Sequence, residues 1–328
     1  LDEPTNYLDL EHVIWLIEYL KEFPKSFLVI SHDEFFLGEI ANVVFSLENK
    51  VITRYKGDYK YYLEQSVIRK EQYEKDYEAQ QRYIKKEEDF IKNNITRATS
   101  SKAAKSRRAR LAHIEVLEKP VNDLNQVHIN FPYSGDVGKE MLTVNELVIG
   151  YNNNPLLNPI SFGLLKHEKI AVIGKNGVGK STLIKTLLNI IPKIDGDFHF
   201  NDRIEINYFS QTELDDLSIT PLEYLKSFYP NKTDFELRSV LGRCGIKSEL
   251  ALRKLSELSG GEEAKTRLSL LTMKKSNILV LDEPTNHLDI VCKEELKSAI
   301  DRYEGNVIVV SHEKDFYDDV VDYIIELE

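Results

Sequence analysis

Residues 170–190 read IAVIGKNGVGKSTLIKTLLNI: an apolar run, a loop punctuated by glycines, then a stretch with helical apolar spacing. From Gly174 to Ser181 the loop follows G-x-x-x-x-G-K-S, in the strand–loop–helix context that gives this pattern its meaning. Such a run commits its part of the chain to an α/β fold, with a buried strand leading into the loop. Glycines allow the backbone to curl so that successive N–H groups and the helix N-terminus face phosphate oxygens. The residues expected to cradle phosphates are therefore Gly174, Asn176, Gly177, Gly179, Lys180, Ser181 and Thr182. Lys180 is expected to reach the β- and γ-phosphates, and Ser181 to ligate Mg²⁺.

Further along, SNILVLDEP carries a short β-branched run into Asp282 and Glu283. An acidic pair at the end of a buried strand fits a second element of the same site. Asp282 would join the magnesium shell, and Glu283 would polarise an attacking water. NVIVV is another buried strand and ends at Ser311-His312, so His312 would approach the γ-phosphate beside Asp282. LSGGE at 258–262 opens a helix, and alone it says only that the helix start is flexible.

LDEPTNYLD at the N-terminus returns as LDEPTNHLD at 281, and the offset of 280 holds without a gap to Leu47-Glu48 and Leu327-Glu328. Two copies of one module are present. The first begins inside a strand-to-loop transition, and on this reading the chain is N-terminally truncated. It keeps Asp2, Glu3, Asp9 and His32 but has no phosphate loop and no LSGGE. Its strands FLVISH and VVFSL lack parallel neighbours, so residues 1–57 are expected to be poorly ordered or to pack opportunistically.

Between the copies, residues 58–93 contain neither Gly nor Pro. Tyr59, Leu63, Tyr73, Tyr77, Ile84 and Ile91 lie on one alternating track that Ser66, Lys70, Gln80 and Glu87 interrupt. This predicts a helix of about 50 Å with a weak coiled-coil seam. A polar break, NNITRATSS, precedes a second helix expected over 102–118, and the pair would form an antiparallel hairpin. Three segments result: 1–57 from the first module, 58–120 as a helical linker, and 121–328 as a complete second module.

Charge is segregated along the chain. The 328 residues carry a net −11, which as an average argues against a nucleic-acid partner. From Lys92 to Arg110, however, stand Lys92, Arg97, Lys102, Lys105, Arg107, Arg108 and Arg110 without one acidic residue. That window is +7, which leaves −18 for the remainder. Fields act over a Debye length of about 8–10 Å, so the window would still bind a polyanion. No run approaches the roughly 18 apolar residues of a membrane helix. Cys244 and Cys292 have no paired spacing, and a reducing cytoplasm fits best.

In combination these elements resemble a known family. The order of phosphate loop, Gln211, LSGGE, LVLDEPTNHLD and VVSH looks like an ATP-binding cassette (ABC) ATPase. The tandem copies, the DEPTNHLD motif and the basic helical linker are similar to the ABC-F family, cytosolic ATPases that act on ribosomes. The resemblance implies a P-loop cassette fold binding ATP and Mg²⁺, with Gln211 sensing magnesium and the γ-phosphate. It implies that Tyr151 stacks on adenine, that Ser259, Gly260 and Gly261 face an opposing nucleotide, and that Asp289 lines the contact between cassettes. It further implies that the linker contacts tRNA and rRNA.

Family cassettes hydrolyse ATP in head-to-tail pairs. The second module's loop is thus expected to lack its intramolecular partner and to hydrolyse poorly alone, unless two copies pair their second cassettes. A translation factor is the leading expectation. The alternatives are a ribosomal protection protein for antibiotic resistance, the energising subunit of a transporter, and an RNA-binding fragment without activity.

Overall fold

The computed structural model describes residues 1–5, 8, 10–31, 33–48, 51–94, 101–114, 116–117, 127–210, 216–247 and 249–327. Among the expected site residues, Asp9, His32, Arg97 and Gln211 lie outside them. Two compact units are distinguished: Leu1–His32 with Asp123–Glu328, and Asp33–Asn122.

The first unit centres on a five-stranded parallel sheet. Its strands are β7 (Lys169–Gly174), β9 (Ile206–Phe209), β10 (Ile278–Asp282), β11 (Asn306–Val310) and β12 (Tyr323–Leu327). They lie in the order β12-β7-β11-β10-β9. Every residue of β10 and β11 is buried, as continuous apolar runs in a parallel sheet covered on both faces must be. On one face packs α5 (Lys180–Leu187), with Leu183, Ile184 and Leu187 against Val172, Val280 and Ile308. On the other, α8 (Gly260–Leu271) and α9 (Ile290–Arg302) bring Leu268, Leu296 and Ile300 against Leu279, Leu281 and Val309.

An antiparallel sheet in the order β6-β3-β8 joins β3 (Glu140–Val148), β6 (Ile160–Leu165) and β8 (Asp195–Phe200). Between β3 and β6, the strands β4 (Gly150–Tyr151) and β5 (Asn154–Pro155) form a tight hairpin. Asn152 and Asn153, at φ 53° and 61°, supply its turn. A separate apolar cluster builds on α6 (Pro221–Phe228) and α7 (Asp234–Arg243), joining Leu225, Leu237 and Leu241. Helices α6, α7 and α8 all start with a capping box: Thr220 with Glu223, Thr233 with Glu236, Ser259 with Glu262.

Residues 1–57, expected to be poorly ordered or to pack opportunistically, hold four regular elements among those described. Leu10–Lys21 forms α1 in the first unit. At the start of the chain, Glu3 N–H donates to Ile30 O at 2.8 Å, as Glu283 N–H donates to Val310 O at 2.9 Å. Glu3 has φ 41° and Glu283 φ 49°, so the repeat preserves one strained backbone turn at both acidic pairs.

In the second unit, α2 (Glu34–Ile40) precedes the antiparallel pair β1 (Val43–Glu48) and β2 (Val51–Lys56). The unit continues into α3 (Tyr59–Asn94) and α4 (Ser101–Ala112). Strand β1 thus finds its partner in β2, where its counterpart β12 pairs in parallel with β7. Helix α4 is shorter than the expected 102–118. Arg107 Nη1 donates to Glu87 Oε1 at 2.8 Å and Leu117 N–H to Gln80 Oε1 at 2.8 Å, which sets the antiparallel register. Ser66 is buried too, its hydroxyl bonded to Leu63 O at 2.9 Å. Of the polar residues that interrupt the apolar track, Gln80 and Glu87 are thus partnered across the hairpin and Ser66 within its own helix.

Candidate nucleotide site

Parallel register assembles the site. Asp282 pairs with Val310, and Val310 with Val172, so β10 and β11 end level beside β7, which runs two residues further to Gly174. Neighbouring strands lie about 4.8 Å apart, and the residues that leave their C-terminal ends emerge side by side. Those residues are the phosphate loop, Glu283 and Ser311-His312.

The loop depends on its glycines. Gly174, Gly177 and Gly179 have φ of 148°, 78° and 119°, conformations that side chains oppose. A Cβ on Gly174 would also stand 2.6 Å from Leu327 O. Lys180 is buried, and its ammonium donates to Gly174 O at 2.8 Å and Lys175 O at 3.0 Å. It thus bridges the loop across the concavity that the backbone encloses. Asn176 and Gly177 are exposed at the loop's crest, and Thr182 is buried beneath it. Tyr151 is half exposed at the tip of the β4–β5 hairpin, with its hydroxyl 3.3 Å from that of Thr182. An aromatic face is thereby held beside the loop.

Ser181 Oγ donates to Asp282 Oδ1 at 3.2 Å, while Asp282 Oδ2 is buried with no hydrogen-bond partner in good geometry among the described residues, the Tyr208 hydroxyl lying close by. Burial pushes the Asp282 carboxyl up, opposed by the Ser181 hydrogen bond and the charges of Lys185 and Lys180. A hydroxyl beside a buried carboxylate oxygen without a well-placed partner fits Mg²⁺, a hard cation that takes oxygen ligands. No group of three or more His, Cys, Asp or Glu suited to a metal occurs among the described residues.

Glu283 is 8% exposed, and its Oε1 lies 3.1 Å from His312 Nε2. Burial raises its carboxyl to about 8; Lys180 opposes the shift, while Asp282 and Glu313 add to it. A carboxylate so destabilised is a strong base once ionised. Lys180, Ser181, Asp282, Glu283 and His312 thus form one cluster that could bind a magnesium polyphosphate and deprotonate water.

Ser259, Gly260 and Gly261 make their contacts elsewhere. Ser259 caps α8, and a Cβ on Gly261 would meet His287 O at 2.6 Å. The signature segment is therefore seated on the DEPTNHLD loop of its own module. Lys265 of α8 bonds Asp289, the N-cap of α9. Sequence reading missed Arg267, whose guanidinium lies 4.9 Å over the Phe209 ring and donates to Ser210 O at 2.9 Å. It anchors α8 to the strand that runs toward Gln211. No motif marks it, although its helix spacing from Glu263 was readable.

In the second unit, Lys92, Lys102, Lys105, Arg108 and Arg110 are exposed. Arg107 is the exception, paired with buried Glu87 and stacked 4.0 Å over Phe90.

Family comparisons agree with this anatomy. A family model described as ABC transporter matches residues 157–286, and its extension model, described in the same words, matches 45–131. The uncharacterized ABC transporter ATP-binding protein YfmM of Bacillus subtilis is 39% identical over 320 residues, covering 98% of this chain and 61% of that protein. Human ATP-binding cassette sub-family F member 3 is 35% identical over 320 residues, covering 96% and 45%. Protein GCN20 of Saccharomyces cerevisiae is 34% identical over 324 residues, covering 98% and 43%. The chain spans about half the length of the curated relatives it matches. Among solved structures, the RNase-L Inhibitor covers the whole chain and 57% of its own, at 21% identity and TM-score 0.60, a likeness of fold.

Proposed function

The chain belongs to the ABC-F family of ATP-binding cassette proteins, and from that premise we propose that it binds ATP with Mg²⁺ and hydrolyses it while acting on the ribosome. One observation carries the reading: Lys180, Asp282, Glu283 and His312 converge at the C-terminal ends of β7, β10 and β11. Bound Mg²⁺ would neutralise phosphate charge, with Ser181 and Asp282 to hold it. Lys180 would exchange its loop carbonyls for the β- and γ-phosphates. Glu283 would take the proton of the attacking water, and His312 would hold that carboxylate in place. Tyr151 offers its ring to the adenine. Gln211 keeps its proposed role toward magnesium.

The ribosome reading rests on the exposed cations of the linker, Lys92, Lys102, Lys105, Arg108 and Arg110. RNA presents dense phosphates, and such a set binds it with a steep salt dependence. No helix among the described residues is long and apolar enough to cross a membrane. Self-association of second cassettes would place Ser259 of one copy on the nucleotide of another.

Sedimentation of the Glu283→Gln chain with ribosomes, in ATP and across a salt series, tests the proposal. Co-sedimentation that weakens steeply with salt is expected. Failure to pellet at low salt would overturn the ribosome reading, and failure to bind ATP would overturn the nucleotide reading.

A further inference from the structure

The two copies of the repeat differ at many positions, and two of the residues particular to the second copy meet in space. Val13 and Asp33 of the first correspond to Lys293 and Glu313 of the second. Asp33 is the N-cap of α2, and its carboxylate accepts from Phe36 N–H at 2.9 Å. Glu313 holds the same place before α10 (Lys314–Tyr317) but makes no side-chain cap bond. Its extra methylene carries the carboxylate away from the backbone. Both oxygens accept instead from Lys293 Nζ, at 2.8 and 2.9 Å. Val13, at the position of Lys293, carries no donor.

Lys293 stands in the first turn of α9, four residues beyond Asp289. Glu313 directly follows His312, and its N–H donates to the hydroxyl of fully buried Ser311 at 3.1 Å. Ser311 continues from the end of β11 and Glu313 is pinned to α9, so the backbone on both sides of His312 is fixed. Lys293 is largely buried and Glu313 about two-fifths exposed, so the pair is partly shielded and both carboxylate oxygens are engaged. Fixing the chain on either side of a ring narrows the positions its Nε2 can take, and this nitrogen lies 3.1 Å from Glu283.

We infer that the Lys293–Glu313 pair is a clamp, particular to the second copy, that positions His312 against Glu283. Neither residue touches substrate in this account; both are positioning residues. The inference rests on the reading of Glu283 and His312 as the hydrolytic pair.

Three variants of the 328-residue chain test it: Glu313→Gln, Glu313→Asp, and the exchange Lys293→Glu with Glu313→Lys. The readouts are the His312 imidazole ¹⁵N resonances without nucleotide, single-turnover MgATP hydrolysis with the concentration that half-saturates it, and the thermal midpoint. The Gln and Asp variants should move or broaden the His312 resonances. They should slow hydrolysis by about tenfold to a hundredfold, with little change in half-saturation. The exchange variant should recover most of both. His312 resonances that stay in place in Glu313→Gln, while the thermal midpoint falls, would overturn the clamp and leave a structural tie only. Absence of turnover in the unmodified chain, whose phosphate loop lacks an opposing LSGGE, would leave the decision to the resonances, which overturn the clamp if they stay in place.

Discussion

His312 Nε2 faces Glu283 Oε1 at 3.1 Å across the ends of two adjacent parallel strands. The carboxyl is buried, and its value is displaced upward to about 8. Folding therefore favours the protonated acid between its ordinary range and about 8, and the folded chain binds more protons than the unfolded one in that window. Stability from this group is lost as pH rises through it.

Glu283→Gln removes the penalty. Its thermal midpoint should match the wild type near pH 4 and rise above it progressively to pH 8–9, where the gap corresponds to roughly 2–4 kcal/mol. Thermal unfolding at fixed ionic strength reads this directly. A gap that does not depend on pH would show that Glu283 ionises without cost.

The same displacement sets the pH dependence of hydrolysis. A base acts only when ionised, so kcat/KM should climb about tenfold per pH unit below the carboxyl's value and level off above about 8. A pH–rate profile from 6 to 9.5 measures it. A profile already flat at pH 6.5 would count against Glu283 as the base.

Two glycines of one loop should respond differently to alanine. At Gly174 the φ is 148° and an added Cβ would meet Leu327 O at 2.6 Å, so the end of β12 must move. At Gly177 the φ is 78° with nothing within 4 Å, so only backbone strain of about 1 kcal/mol opposes the change. Gly174→Ala should lower the thermal midpoint strongly along with ATP affinity, whereas Gly177→Ala should cost only about 1 kcal/mol of stability beside its loss of affinity. Equal losses of stability would contradict this account of the loop.

Much of the nucleotide site is readable in the chain because its elements are local. A strand, a glycine pattern and the residue after them place Lys180 and Ser181 without any tertiary knowledge. The apolar runs ILVL and NVIVV likewise place Glu283 and His312 just past strand ends. What stays hidden depends on how helices return to the sheet: Lys265 on Asp289, Arg267 on Ser210, Lys293 on Glu313. These are long-range side-chain contacts with no period of their own. On the linker, apolar periodicity marks Glu87 as a defect in the seam because a pattern of single residues cannot show the arginine that arrives from the other helix.

That arginine gives the sharpest contrast among the basic residues. Arg107 is held by Glu87, which is only 7% exposed, and by the Phe90 ring. Removing it strands a buried carboxylate, at a cost of about 1–3 kcal/mol. Lys102, Lys105, Arg108 and Arg110 are exposed and serve the charge of the hairpin. Arg107→Ala should therefore lower the thermal midpoint, and adding Glu87→Leu should restore most of it. Alanine at the four exposed positions should leave the midpoint within about 0.5 kcal/mol of the wild type. The same change should reduce the slope of log affinity for RNA against log salt by up to about one per cation removed. Unfolding midpoints and a salt titration of RNA binding on the same variants separate the two roles. If Arg107→Ala alone flattened the salt slope and left stability unchanged, the pairing with Glu87 would have no part in holding the hairpin.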